Sequence, residues 1–181
     1  MKEGSALPAL YLRLSTNKDL NKIVKIINNG KTFLKSQNIN QWQDGYPAAE
    51  DISNDIKNSI GYVFIEDGEI AGYAALHQGI DPMYLKISNG NWITGTHARY
   101  TAIHRIAMAS KFRGQHLAEK MISNLITVSG VLGYKDLRID THPDNKIMQH
   151  TILKSGFEKR GTVHMPAPDG SPRFAYELQI V

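Results

Sequence analysis

Arg113 and Gly114 stand side by side in Lys111-Phe112-Arg113-Gly114-Gln115-His116-Leu117-Ala118, between an apolar run and a segment of helical periodicity. An arginine and a glycine just ahead of a helix can hold a phosphate. The first backbone N–H groups of a helix lack intrahelical partners, and the macrodipole adds partial positive charge there. Glycine lets the backbone approach an anion closely, and the guanidinium adds a fork of donors. The same residues also describe a plain helix start with a solvated arginine, so the pair alone does not decide. His116 stands where such loops often carry a second glycine. Its expected place is the first turn of the helix, where φ is negative and glycine is not required.

Other chemistries find no support in the residue types. There are seven histidines but no His-Glu-x-x-His and no tight His/Asp cluster, so no metal site is expected. With no cysteine there is no disulfide framework, thiolate nucleophile or zinc-thiolate site. Neither a Gly-x-Ser-x-Gly elbow nor a Walker-type Gly-Lys-Ser/Thr is present. The chain of 181 residues is 41% hydrophobic and 21% charged, an ordinary balance for one globular domain over 1–181. No stretch reaches the apolar length of a bilayer span, and Ala118-Glu-Lys-Met-Ile-Ser-Asn-Leu-Ile-Thr-Val128 reads as a core-facing helix, so no membrane partner is expected. Residues 1–9 read as a loose leader and a poor secretory signal, so the expected location is cytoplasmic. The net charge of +4 is scattered, without a dense Lys/Arg run. That favours a small polyanionic ligand, and no nucleic acid is expected as a partner.

The elements that must position these residues follow from periodicity. Leu10, Leu12 and Leu14 alternate as a strand over 10–15, and Leu20, Ile23, Val24 and Ile27 recur at helical spacing behind Thr16 or Asn17 as cap. A second helix is expected near 50–59. Residues 61–76 form a hairpin about Asp67-Gly68, which suits a tight turn of positive φ. Residues 78–96 read as a functional loop or a short helix. Residues 100–108 read as a buried strand and 113–134 as a helix with Leu117, Met121, Leu125 and Val128 on one stripe. A strand at 135–141, a helix capped by Asp144 and Gly156, and strands near 157–164 and 173–180 complete the chain. The order β, α, α, β, β, β, α, β, α, β, β predicts an α/β (α+β) fold whose sheet is mixed: locally parallel in the middle, antiparallel at the flanks.

That order resembles the GNAT superfamily of N-acetyltransferases, as do His104-Arg-Ile-Ala-Met-Ala-Ser-Lys-Phe-Arg-Gly-Gln-His-Leu-Ala118 and Asp144-Asn-Lys-Ile-Met-Gln-His-Thr-Ile-Leu-Lys-Ser-Gly-Phe157. The resemblance runs from about 10 to 181 and is sharpest over 103–157. Arg113-Gly114-x-His116-Leu117-Ala118 follows the family's Arg-Gly-x-Gly-x-Ala loop except at His116. The resemblance implies a mostly antiparallel sheet of about six to seven strands, helices on both faces, and a splayed parallel pair at the cofactor site. It implies acetyl-coenzyme A as co-substrate, with Ile106, Ala107 and Met108 beside the pantetheine. Arg113, Gly114, Gln115, His116, Leu117 and Ala118 would cradle the pyrophosphate, with Asn145 facing one of these groups. A homodimer through the last strands is a family-level expectation.

Acetyl transfer to an amine needs a proton acceptor, a polarised thioester carbonyl and a leaving thiol. The expected base is His104, on the strand leading to the cofactor. It shares strand parity with Ile106 and Met108, so a hydrogen-bonded core histidine is the alternative; His142 and Asp140 are reserve candidates. An N–H near Ala107 or Met108 would meet the oxyanion. The family's tyrosine, seven residues after the asparagine, is Ile152 here, which leaves Tyr134, Tyr100 or water to protonate the thiolate. The amine is expected against Trp42, Asp44, Tyr46, Tyr84 and Trp92. A coenzyme A or acyl-coenzyme A sensor without turnover is the alternative function.

Overall fold

The computed structural model describes residues 9–166 and 169–181; apart from Ala9, the expected leader lies outside them. Among the described residues seven strands form one sheet: β1 (Leu10–Leu14), β2 (Gly61–Glu66), β3 (Glu69–Gln78), β4 (Thr101–Met108), β5 (Asp136–Thr141), β6 (Glu158–His164) and β7 (Pro172–Gln179). Their spatial order is β1-β2-β3-β4-β5-β7-β6. Only β4 and β5 run parallel; the other neighbours are antiparallel. The mixed sheet expected from the element order is therefore present. Asp67 and Gly68 both take positive φ, 48° and 79°, as the tight hairpin between β2 and β3 requires.

Among the described residues four α-helices flank the sheet: α1 (Leu20–Ser36), α2 (Ala49–Lys57), α3 (Leu117–Val131) and α4 (Lys146–Lys154). Strand alternation divides the core between the two faces. Val63 and Ile65 of β2 and Tyr73 of β3 pack with Ile23, Ile26 and Ile27 of α1 and Ile52 of α2. Tyr62, Phe64 and Leu76 point the other way, against Met121, Ile122 and Leu125 of α3 and Ile152 of α4. Each such fully buried side chain contributes roughly 1.5–3 kcal/mol by leaving water. No helix among the described residues is long and apolar enough to cross a membrane.

Two helix starts differ from the sequence expectation. The segment over 113–134 becomes helical only at Leu117. At α4 the cap is Asn145, not Asp144: its side-chain oxygen accepts the Met148 N–H at 3.1 Å. The segment between β3 and β4 contains a 3-10 turn over Pro82–Leu85 and crosses to the far half of the sheet. Ser88 bridges Thr162 of β6, the Ile93 N–H donates to Glu177 of β7 at 2.8 Å, and Gly95 C=O accepts from Arg138 of β5 at 2.7 Å. Beneath it Tyr84, Trp92 and Tyr100 form a third core with Val163 and Ala175.

The entry to α1 is fastened by Asp19. Its carboxylate accepts two hydrogen bonds from Arg13, at 2.8 and 2.9 Å, and others from the Thr16 N–H and hydroxyl. The Arg13 hydrogen bond, with the Thr16 donors, outweighs desolvation and holds the carboxyl at about 2 instead of 3.8. A depressed folded value stabilises the protein above the unfolded value, and that stabilisation is lost as pH falls through the folded one. Asp19→Asn should therefore cost about 1–2 kcal/mol at pH 7 in chemical denaturation. The gap between variant and wild type should nearly close by pH 2.

Candidate active site

The site begins with a defect in β4. Parallel pairing with β5 is confined to Thr101–Ile103 against Leu137–Ile139. On the β3 side the register shifts: Ala75 faces His104, but Tyr73 faces Ala107. The extra residue sits at Arg105, whose φ is +54°, left-handed for a long-chain residue. A bulge bends and twists its strand. Beyond it, the β5-facing backbone of Ile106, Ala107 and Met108 has no ladder partner, and a cleft of about 590 Å³ opens between the strands.

Charge holds the bulge. Arg105 grips Asp55 of α2 through Nε and Nη2 at 2.8 and 2.6 Å, and its Nη1 donates to the Tyr46 hydroxyl at 2.5 Å. Tyr73 donates its own hydroxyl proton to Asp55 at 2.6 Å. Burial alone would lower the Arg105 pKa, but Tyr46 and Asp55 raise it further above its already high value. The guanidinium thus stays charged.

At one end of the cleft lies the Arg113–Gly114 turn. Arg113 stacks over Phe33, 4.8 Å from the ring centre, and its Nη2 is buried without a hydrogen-bond partner among the described residues. Burial lowers its pKa from the free arginine value. Gly114 has φ +76°, and a Cβ there would meet open space, so its glycine is needed for backbone shape rather than room. His116 is not in the first helical turn as the sequence reading expected. It is the N-cap of α3, left-handed at φ +57°. Histidine is among the non-glycine residues enriched in that region. Its side chain is solvent-exposed, 3.5 Å from Glu119. Gln115 is exposed beside it, Leu117 turns into the core, and Arg113 and Ala118 line the cleft.

At the other end is His104, half-buried and lining the cleft. Its Nε2 lies 2.8 Å from Asp81 Oδ2. Asp81 begins the 3-10 turn, where its Oδ1 accepts the Met83 N–H at 2.8 Å, and its own N–H donates to Tyr100 Oη at 2.7 Å. Burial would raise Asp81, but His104 and the Met83 N–H outweigh it and hold the carboxyl below its ordinary value. Asp140 also lines the cleft and accepts the Tyr84 hydroxyl at 2.7 Å. Burial pushes its pKa up despite opposition from His104 and Tyr84.

The remaining expected residues separate clearly. Trp42 and Tyr46 line the cleft with Asp44, and all three also line an adjoining hollow of about 120 Å³ with Asp169 and Arg173. Tyr84 and Trp92 do not: at 0% and 4% exposure they are core residues and cannot touch an acceptor. Tyr100 is equally buried, and Tyr134 sits under Arg99, outside the cleft lining. His142 accepts the Asp144 N–H at 3.2 Å and is not in the lining; burial lowers its pKa. Asn145 lines the cleft, but its side chain is engaged: the oxygen caps α4 and the amide donates to Gln41 at 3.2 Å. Ile152, in the place of the family tyrosine, is fully buried. Sequence reasoning missed Asp81 and the Arg105–Asp55 pair. Asp81-Pro82 is a legible turn start; nothing local announces an arginine with positive φ.

The model of the Acetyltransferase (GNAT) family matches residues 29–157. An acetyltransferase of the GNAT family from Streptococcus agalactiae 2603 has a similar structure, with TM-score 0.86 and 35% identity over 97% of this chain and 98% of that one. A second, from Listeria monocytogenes 4b F2365, gives TM-score 0.73 at 18% identity, over 94% of this chain and 95% of that one. The fold is also similar to AAC(6')-Ib in complex with ribostamycin and coenzyme A, at TM-score 0.67 and 23% identity, over 94% of this chain and 93% of that one. A search of curated proteins gives no match.

The two left-handed positions of the loop predict opposite responses. Replacing His116 by glycine relieves the Cβ penalty and should stabilise by up to about 1 kcal/mol. Gly114→Ala should destabilise by about as much. Thermal or chemical denaturation of the two variants reads the signs directly.

Proposed function

Since the chain belongs to the GNAT family of acetyltransferases, we propose that it moves an acetyl group from acetyl-coenzyme A to a primary amine by direct attack in a ternary complex. The amine is borne by a small molecule or a peptide amino terminus. One observation carries the reading: the gap beyond Ile103 has an unpaired guanidinium at one end and the His104–Asp81 pair at the other.

The residues present fit the co-substrate. The unpartnered Nη2 of Arg113, with Gly114 and the backbone N–H groups leading into α3, would hold the pyrophosphate. The open β5-facing backbone of Ile106, Ala107 and Met108 is free to pair with the pantetheine amides. When bound, the thioester supplies an activated acetyl carbon. His104 takes the proton lost by the attacking amine, with its Nε2 held beside the Asp81 carboxylate. An N–H of Ala107 or Met108, fixed by the bulge, donates to the developing oxyanion.

The acceptor end suits a cation. Asp44, Asp81, Asp140 and Asp169 line it, as do the faces of Trp42 and Tyr46. Arg105 there is already spent on Asp55, and Arg173 lies 3.6 Å from Asp169. A second reading, a coenzyme A-binding sensor without turnover, is favoured by the buried Ile152 in the family's tyrosine place.

A thiol-release assay with acetyl-coenzyme A and a panel of amines separates the two. Turnover with at least one amine is expected, with His104→Ala lowering kcat about 100-fold or more and leaving coenzyme A affinity intact. Gly114→Val should weaken that affinity, whereas His116→Gly should not. Tight coenzyme A binding with no turnover on any amine would establish the sensor instead.

A further inference from the structure

We infer that Tyr46 is the general acid that protonates the leaving thiolate, an assignment that rests on the acetyltransferase reading above. A tyrosine hydroxyl has one proton to give and lone pairs with which to accept. Tyr73 gives its proton to Asp55, and Tyr84 gives its proton to Asp140; both are fully buried. Tyr100 is buried too, beneath the segment that joins β3 to β4. Tyr46 is the one tyrosine among the cleft-lining residues. Its oxygen accepts from Arg105 Nη1 at 2.5 Å, and its own proton has no acceptor among the described residues. The proton is therefore uncommitted.

Arg105 makes this phenol an acid rather than a mere surface. The guanidinium is locked on its far edge by Asp55, so Nη1 is aimed at the Tyr46 oxygen and cannot turn away. A fixed cationic donor stabilises the phenolate that proton loss would leave. Arg105 is also the bulged residue of β4, directly before the Ile106–Met108 edge where the thioester is expected to lie. The acid and the strand that presents the acyl group are thus set by the same side chain. Charges around the hydroxyl keep the proton in place until it is needed. Burial raises the phenol's pKa, and the Asp51 and Asp140 carboxylates support that rise against Arg105. Asp44, whose Oδ1 accepts the Tyr46 N–H at 3.3 Å, and Asp81, Asp169, Arg113, Arg173, His77 and His104 are the other titratable groups that line the same cleft.

The step balances. The amine nitrogen bonds to the acetyl carbon and the C–S bond breaks, leaving its electron pair on sulfur. The sulfur takes the Tyr46 proton, and the nitrogen's surplus proton goes to His104. Proton return from His104 or solvent restores the phenol.

The test is Tyr46→Phe, which keeps the ring against the cleft wall. With an amine accepted by the wild type, kcat should fall about 100-fold, KM for acetyl-coenzyme A should stay within about threefold, and the thermal midpoint should be preserved. Fluorotyrosine at 46 should restore most of the rate and move the alkaline limb of the kcat profile to lower pH. Independently of turnover, the labelled-tyrosine ring resonance that vanishes in Tyr46→Phe should shift on adding coenzyme A and stay put with desulfo-coenzyme A. A Tyr46→Phe enzyme that keeps kcat and loses only amine KM overturns the acid role and leaves the acetyltransferase standing. A wild type that binds acetyl-coenzyme A and acetylates no amine overturns both.

Discussion

The bidentate ion pair between Arg105 and Asp55 is the constraint on which the rest of the site depends. A left-handed arginine inside a strand costs about 1–2 kcal/mol of backbone strain. Two short, charge-assisted hydrogen bonds, with Tyr73 closing the remaining carboxylate valence, offset that cost. Without the bulge, β4 would keep its register with β3 and its parallel pairing with β5, and there would be no cleft. Because Asp55 sits on α2, the helix that covers one face of the sheet also decides where the sheet opens.

The cleft is electrically divided, though the chain as a whole carries only a small positive surplus. The end at α3 holds the half-buried Arg113 guanidinium, whose Nη2 has no hydrogen-bond partner among the described residues; the end at the β3–β4 crossing holds carboxylates, two of them already engaged by His104 and Tyr84. A co-substrate with a polyanionic tail and a neutral head, and a second substrate with an ammonium, would each be drawn to opposite ends. They would meet where Ile106, Ala107 and Met108 of β4 have lost their pairing to β5. The arrangement orients both reactants before any close contact forms.

Much of this was legible in the residues themselves. Alternation and 3.6-residue spacing marked the strands and helices, and Asp67-Gly68 announced its turn, because those signals are local. The Arg113-Gly114 turn was legible for the same reason. What escaped the sequence was made by contacts between distant segments. Arg105 takes positive φ only because Asp55, fifty positions earlier, holds it. Tyr84 and Trp92 lie in a turn-rich stretch that reads as exposed, yet the segment folds back over Val163 and Ala175 and buries them. The left-handed φ of His116 escaped for another reason: histidine is tolerated there without being a signal for it.

The shallow pairing of β4 with β5 has a mechanical consequence. Three residue pairs join the two halves of the sheet at its centre, and the segment from 79 to 100 crosses the same boundary to fasten onto β5, β6 and β7. That segment is a strap over a seam. The same strap carries Asp81 to within 2.8 Å of His104. The crossing that ties the two halves of the sheet together therefore also holds a carboxylate against the strand at the mouth of the cleft, so a change in the strap reaches the cleft without altering β4 or β5.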